Sequence, residues 1–298
     1  MFKKIIIVFL ILIINCAANA NILLKMNENN AQVSALSGSA ISFANIISEN
    51  PASFSGIEKN YISFTNNNYL TDISVMSFKY AAYIDKLKGV INTGYTIFDS
   101  GKIRKTFITG STSFLDAGTT DINEKMFILG YSTNIKLLSL GVNTKFINSD
   151  FAGVSDKSLA IDFGFNYNFE FLKDNFTIGG VIKNLGNSFK YDREKYSVPL
   201  QYKFGVSASS DFLATGYMIK FGIETIYDKY NHFDGAAGCE IDYKEKIFLR
   251  AGYNTTSDQG NGISAGIGLS WSGLKFDYGW TPYSSLGDAH YITLSYSF

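Results

Sequence analysis

Cysteine is almost missing from this 298-residue chain: Cys16 and Cys239 are the two present. Cys16 falls inside an N-terminal leader, so Cys239 would remain alone, which excludes an intramolecular disulfide even in an oxidising compartment. Histidine is equally scarce, with His232 and His290 alone. Two scattered histidines without a cysteine cluster make no metal site, and neither lies near a recognisable nucleophile, so catalytic, metal and cofactor-binding residues are all expected to be none. Neither sign of charge is in excess, with 26 basic and 26 acidic residues. Loss of Lys3 and Lys4 with the leader leaves 24 against 26, a balance that argues against a nucleic-acid partner. Beyond the leader no apolar run reaches about eighteen residues, which excludes a transmembrane helix. Proline is limited to three residues.

What is abundant is aromatic residues and glycine: 25 Phe, 19 Tyr and 27 Gly. This composition suits many strands rather than a helical bundle. The leader reads as a secretory signal over residues 1–20, with Lys3 and Lys4 as the basic start, residues 5–14 as the apolar stretch and Ala18-Asn-Ala20 as the cleavage site. A lipoprotein reading would make Cys16 the modified residue, but Asn15 stands where a small side chain is expected.

A secreted, aromatic, strand-rich chain is either a soluble β-protein or a membrane barrel, and the alternation decides. Leu159, Ile161, Phe163, Phe165, Tyr167 and Phe169 share one face, opposite Ser158, Ala160, Asp162, Gly164, Asn166 and Asn168. The contrast recurs over residues 217–223 and 274–280. These runs reach about nine to twelve residues, the length of a tilted strand crossing a bilayer. The expected fold is all-β: a transmembrane antiparallel up-and-down barrel of about fourteen strands over residues 61–298, drawn from Thr71 onward with residues 61–64 as a further short candidate. Tight connections at 134–136, 170–173, 243–246 and 272–273 are assigned to the periplasm. Longer ones at 148–156, 186–198, 254–260 and 282–289 are assigned outside, with the short turn at Asp85 and Lys86 as an exception among them.

The last eight residues alternate strictly. Ile292, Leu294, Tyr296 and Phe298 form an apolar face, expected to meet outer-membrane lipid and to be read by the barrel assembly machinery, while Thr293, Ser295 and Ser297 face inward. Residues 21–60 break the strand pattern. Ile41, Ala44 and Ile47 at helical spacing, then Asn50-Pro51, predict a short, partly helical plug with Gly38, Asn50 and Pro51 as its marks; a disordered leader is the alternative.

Inward faces gather Lys145, Asp162, Lys183, Lys203, Lys220, Glu224, Asp228, Arg250, Lys275 and Asp277. They read as a structural ion network filling the lumen, or as a selectivity surface that orients an anionic head group near Arg250 and Lys220. Gly262, Gly266 and Gly268 share one inward face, either to admit the plug or to let the strand bend.

Ser37-Gly38-Ser39 through Asn50-Pro51-Ala52 resembles the small-residue helix and Asn-Pro-Ala that precede the barrel in the PorV/PorQ family and in FadL-type transporters. Residues 182–186, 198–200, 249–253 and 277–298, with Asp277-Tyr-Gly279, Pro282, Leu286-Gly287 and His290, resemble PorV/PorQ signatures in the same order. The family usually has Gly-Gly-Ala where this chain has Ser37-Gly38-Ser39. The resemblance implies an outer-membrane protein that serves protein secretion or cell-surface attachment of type IX kind, with secretion-system proteins as partners and the polar stretch 190–195 as a docking loop. The FadL-like alternative implies a transporter with a hydrophobic ligand, such as a long-chain fatty acid. A barrel hydrolase is the remote third class.

Overall fold

Period-two alternation becomes a wall when each apolar face turns the same way. The computed structural model describes residues 30–43, 46–69, 72–109, 113–191, 194–212, 216–228, 233–255, 261–284 and 287–298. The signal segment therefore lies outside the described residues. Among the described residues eighteen strands follow in chain order: β1 (Tyr61–Asn68), β2 (Ser74–Ile84), β3 (Gly89–Asp99), β4 (Ile103–Thr109), β5 (Ser113–Thr120), β6 (Ile122–Ile135), β7 (Leu138–Phe151), β8 (Val154–Phe171) and β9 (Asp174–Gly186). Then come β10 (Phe189–Tyr191), β11 (Glu194–Tyr196), β12 (Gln201–Phe212), β13 (Tyr217–Asp228), β14 (Phe233–Tyr243), β15 (Ile247–Asn254), β16 (Ile263–Trp271), β17 (Leu274–Pro282) and β18 (Asp288–Ser297).

Fourteen of them close into one antiparallel barrel in which β1 pairs with β18 and each other barrel strand with its sequence neighbours in the wall. Closure leaves no edge, so the backbone is satisfied within the wall. Among the described residues no helix is long and apolar enough to cross a membrane. Phe163, Phe221, Ile223, Leu249 and Leu294 stand outward and exposed, while Asp162, Lys183, Glu240 and Asp277 are buried inside. An outer band of that composition is at ease in hydrocarbon and would be a broad sticky patch in water.

The strand count agrees with expectation, but its membership differs. Thirteen barrel strands follow Thr71, and β1 supplies the fourteenth. β4 and β5 form a separate hairpin, as do β10 and β11, so neither pair adds to the wall. This removes the anomaly at Asp85 and Lys86. That turn joins β2 to β3, and Ile84 pairs with Gly89 at the same end as the Tyr61 and Ser297 pair, among the other short turns. The expected long connection at 148–156 is also tight: the ladder runs to Phe151 opposite Val154. Ala152 and Gly153 both take positive φ (56° and 89°), as a two-residue hairpin loop requires.

The seam is closed at its short-turn end by two backbone bonds. Phe298 N–H donates to Asn60 O and Asn60 N–H to Phe298 O, each at 3.0 Å. Phe298 also stacks on Tyr296 at 5.5 Å between ring centroids. Ile292, Leu294 and Tyr296 face outward, and Thr293 and Ser295 are buried inward. Removing Phe298 deletes both seam bonds and the stack; a several-fold lower yield of heat-modifiable, folded barrel is expected on semi-native electrophoresis. Normal yield would show that the seam does not depend on this residue.

Candidate functional site in the lumen

Residues 30–43 and 46–57 occupy the lumen. A short helix, α1 (Ala31–Ala35), is capped by Asn30, whose side-chain oxygen accepts from Val33 N–H at 2.9 Å. It ends as Ser37 turns left-handed (φ 53°) and Gly38 N–H donates back to Val33 O at 3.0 Å. That closes the helix carbonyls in a Schellman arrangement. The helix thus lies earlier than the spacing of Ile41, Ala44 and Ile47 implied. Residues 39–43 are turn and coil because the wall satisfies their backbone: Glu224 accepts from Ile41 N–H at 3.2 Å, and Ser207 Oγ donates to Ser42 O at 2.7 Å. Asn50 then caps a 3-10 turn, Pro51–Gly56, accepting from Ala52 N–H at 3.0 Å. Its side-chain nitrogen donates to Phe165 O of the wall at 3.0 Å and to Ile41 O at 3.2 Å. Asn50 is fully buried, tied at once to plug and barrel.

Glycines in the wall make this close approach possible. A Cβ on Gly164 would overlap Asn50, and one on Gly252 would overlap the Leu36 backbone. Gly266 abuts Ala35 of α1, whereas Gly268 leaves room for the Asp277 carboxylate and the Arg250 guanidinium, and Gly262 takes a positive φ of 75° in the turn before β16. One inward stripe therefore serves three purposes. Replacing Gly266 by Leu drives a side chain into α1 and the Tyr278 carbonyl. Residues 30–57 are expected to become protease-sensitive by about tenfold, from an overpacking cost of about 1–3 kcal/mol; unchanged resistance would count against the contact.

The lumenal charges fall into three groups. Lys145 pairs with Asp162 at 2.7 Å and donates to Asn184 at 3.1 Å. Lys183 and Lys203 both bind Glu49 of the plug, the latter at 2.9 Å, with Glu224 3.6 Å from Lys203. Glu240 joins Lys220 at 2.8 Å to Arg250 Nε at 2.6 Å, and Arg250 Nη1 reaches Asp277 at 2.8 Å. Gln32 of α1 donates to that same Asp277 at 2.7 Å. Lys275 is set over the Phe248 ring, 3.8 Å from its centroid. Asp228 sits at the loop end of β13, opposite Gln201.

Two carboxylates central to these groups escaped the sequence reading. Glu240 shares the inward parity of Gly238 and Asp242, and antiparallel pairing sets it directly opposite both Lys220 and Arg250. Glu49 carries no periodic signal at all. With Glu240 between them, Arg250 and Lys220 are committed to a protein carboxylate, so the anionic head group placed there by the sequence reading would have to displace it. His290, the described histidine of the hydrolase reading, stands exposed with Nδ1 2.8 Å from the Tyr278 hydroxyl. His232 lies outside the described residues, as do Asp192 and Arg193 of the docking loop.

Above the ions the interior changes character. Val75, Phe98, Met126, Ile128 and Ile147 point inward and pack with Phe189 and Val198 from the segment between β9 and β12. An apolar cluster thus occupies the lumen beneath the loops, with one buried carboxylate, Glu124, opposite Phe98 and accepting from Ser149 Oγ at 2.8 Å, and with the three ion groups and the plug below it.

The sequence matches no family model and no curated protein. Solved structures do match in shape. The toluene transporter TodX of Pseudomonas putida superposes with a TM-score of 0.66 at 10% identity, covering 91% of this chain and 98% of that one. The toluene transporter TbuX of Ralstonia pickettii gives 0.62 at 11% identity, covering 93% and 100%. At such identities the likeness is one of fold alone.

Proposed function

We propose that this chain is an outer-membrane transporter of small hydrophobic solutes, with residues 1–20 as a secretory signal, 21–60 as a plug segment and 61–298 as the barrel. The inward-facing apolar cluster carries the reading. Barrel interiors are ordinarily polar, and a buried patch built from Phe98, Met126, Ile128 and Ile147 under the loops gives an apolar molecule somewhere to leave water. Two toluene transporters with the same fold support this role over one in secretion. That both are transporters supports a non-enzymatic role.

Proteoliposomes test it. Purified protein is expected to speed entry of toluene or a longer alkane, and Ile147→Asn, which sets an amide into the cluster, to cut the rate by about tenfold while the barrel still migrates as folded. Absence of solute entry, with recovery of a secretion-system protein on co-purification, would overturn transport in favour of the secretion role that the ordered motifs resemble.

A further inference from the structure

A cavity of about 30 Å³ lies between plug and wall, directly below the apolar cluster. Met126 and Ile128 belong to both, forming the cavity's roof and the cluster's floor. Glu49 and Phe54 bound it on the plug side, Asn92 and Asn143 on the wall side. This is room for one or two water-sized groups, since each needs roughly 10–15 Å³. A solute resting in the cluster could place one small head group there and nothing larger.

The cavity's polar atoms specify that group. Asn92 and Asn143 are 2% and 7% exposed. Asn92 pairs with Gly130 across one ladder and Gly130 with Asn143 across the next, and both amides converge over the missing side chain. Asn92 Nδ2, a donor, and Asn143 Oδ1, an acceptor, have no hydrogen-bond partner among the described residues, nor does Glu49 Oε1. The charged groups lining the cavity are already engaged: Lys145 with Asp162, Lys183 with Glu49, and Lys79 with a partner of its own.

Buried polar atoms of this kind are costly unless something answers them. A hydroxyl answers both kinds, accepting from Asn92 and donating to Asn143 or Glu49. A carboxylate can only accept, and leaves Asn143 and Glu49 unanswered. A hydrocarbon answers none. We propose that the cargo is an apolar molecule with a neutral hydroxyl head, a long-chain alcohol or phenol, its head held between Asn92 and Asn143 and its body in the cluster of Met126, Ile128 and Ile147. The assignment rests on the transport reading and narrows it.

The test is a three-way competition. Full-length protein in nanodiscs is equilibrated with equimolar 1-decanol, decanoate and decane, and retained ligand is measured by mass spectrometry against protein-free nanodiscs. Decanol is expected to exceed each of the others by about tenfold or more. In an Asn92→Leu/Asn143→Leu protein that still shows heat-modifiable folding, decanol should fall to parity with decane. If that protein does not fold, Gly130→Ala, whose methyl group occupies the space where the amides meet, carries the same expectation. Decanoate retained as well as decanol, or a decanol excess that survives these replacements, overturns the proposal. Equal retention of decane and decanol in the unaltered protein overturns it while leaving transport intact. Retention of none of the three overturns both.

Discussion

A Glu49→Ala protein is expected to keep its barrel and lose its plug. Glu49 Oε2 binds Lys183 and Lys203 together, and all three side chains are almost wholly buried. Without the carboxylate two ammonium groups lose their shared counter-ion in a site shut off from water. Breaking a buried pair in this way costs about 3–5 kcal/mol, chiefly from the charge left behind. Fourteen paired strands hold the wall independently of Glu49, so the cost falls on the segment that carried it. Limited proteolysis should cut residues 30–57 at least tenfold faster, with semi-native migration of the barrel unchanged. Unaltered resistance would mean that Asn50 and the glycine contacts suffice to seat the plug.

Acid should do gradually what the substitution does at once. Burial pushes the Glu49 carboxyl up, but Lys183 and Lys203 outweigh it and hold the group at about 2, below its ordinary 4.5. A carboxylate depressed on folding contributes its full stability above the unfolded value and loses it as pH falls through the folded one. The Glu49 contribution to plug resistance is therefore expected to decline between pH 4.5 and 2. The span corresponds to about 3 kcal/mol, and a Glu49→Gln protein should lack this decline. A fall centred on pH 6 would place the sensitive group elsewhere.

The wall was legible because its rule is local. Each residue of β8, β13, β15 and β17 takes its side from its parity, so Asp162, Lys220, Arg250 and Asp277 read as inward before any strand is paired. What parity cannot supply is which inward residues meet. Glu240 became visible as the partner of Lys220 and Arg250 once β14 stood between β13 and β15. The plug obeys no such rule. Ile41 reads as part of a helix, yet its N–H is spent on Glu224 and its carbonyl on Asn50, groups far away or across the lumen. The same limit applies to β4 and β5: they carry ordinary strand sequences, and only the pairing of β3 with β6 shows that the wall bypasses them.

Arg250→Glu is expected to do more damage than any lumen substitution that spares the backbone. A selectivity surface at Arg250 would imply that charge reversal alters passage and leaves the barrel intact. Its surroundings change that expectation: the side chain is fully buried, Nε lies 2.6 Å from Glu240 and Nη1 2.8 Å from Asp277. Reversal would set three carboxylates together, with Lys220 and Lys275 left to answer them. Gln32 of α1 is bound to Asp277, so the disturbance reaches the plug as well. A loss of at least ~5 kcal/mol follows, beyond the 3–5 kcal/mol of simply removing a partner, because like charges are added. Folded, heat-modifiable protein should fall to a small fraction of the normal yield. Because Arg250 and Glu240 face each other across one ladder, the exchanged pair, Arg250→Glu with Glu240→Arg, should recover part of that yield. Recovery would show that the pairing is what matters. Equal loss in the single and exchanged proteins would show that the direction of the bridge toward Asp277 and Gln32 matters more than the pair, and a folded single reversal would mean that the lumen is far wetter around Arg250 than its burial implies.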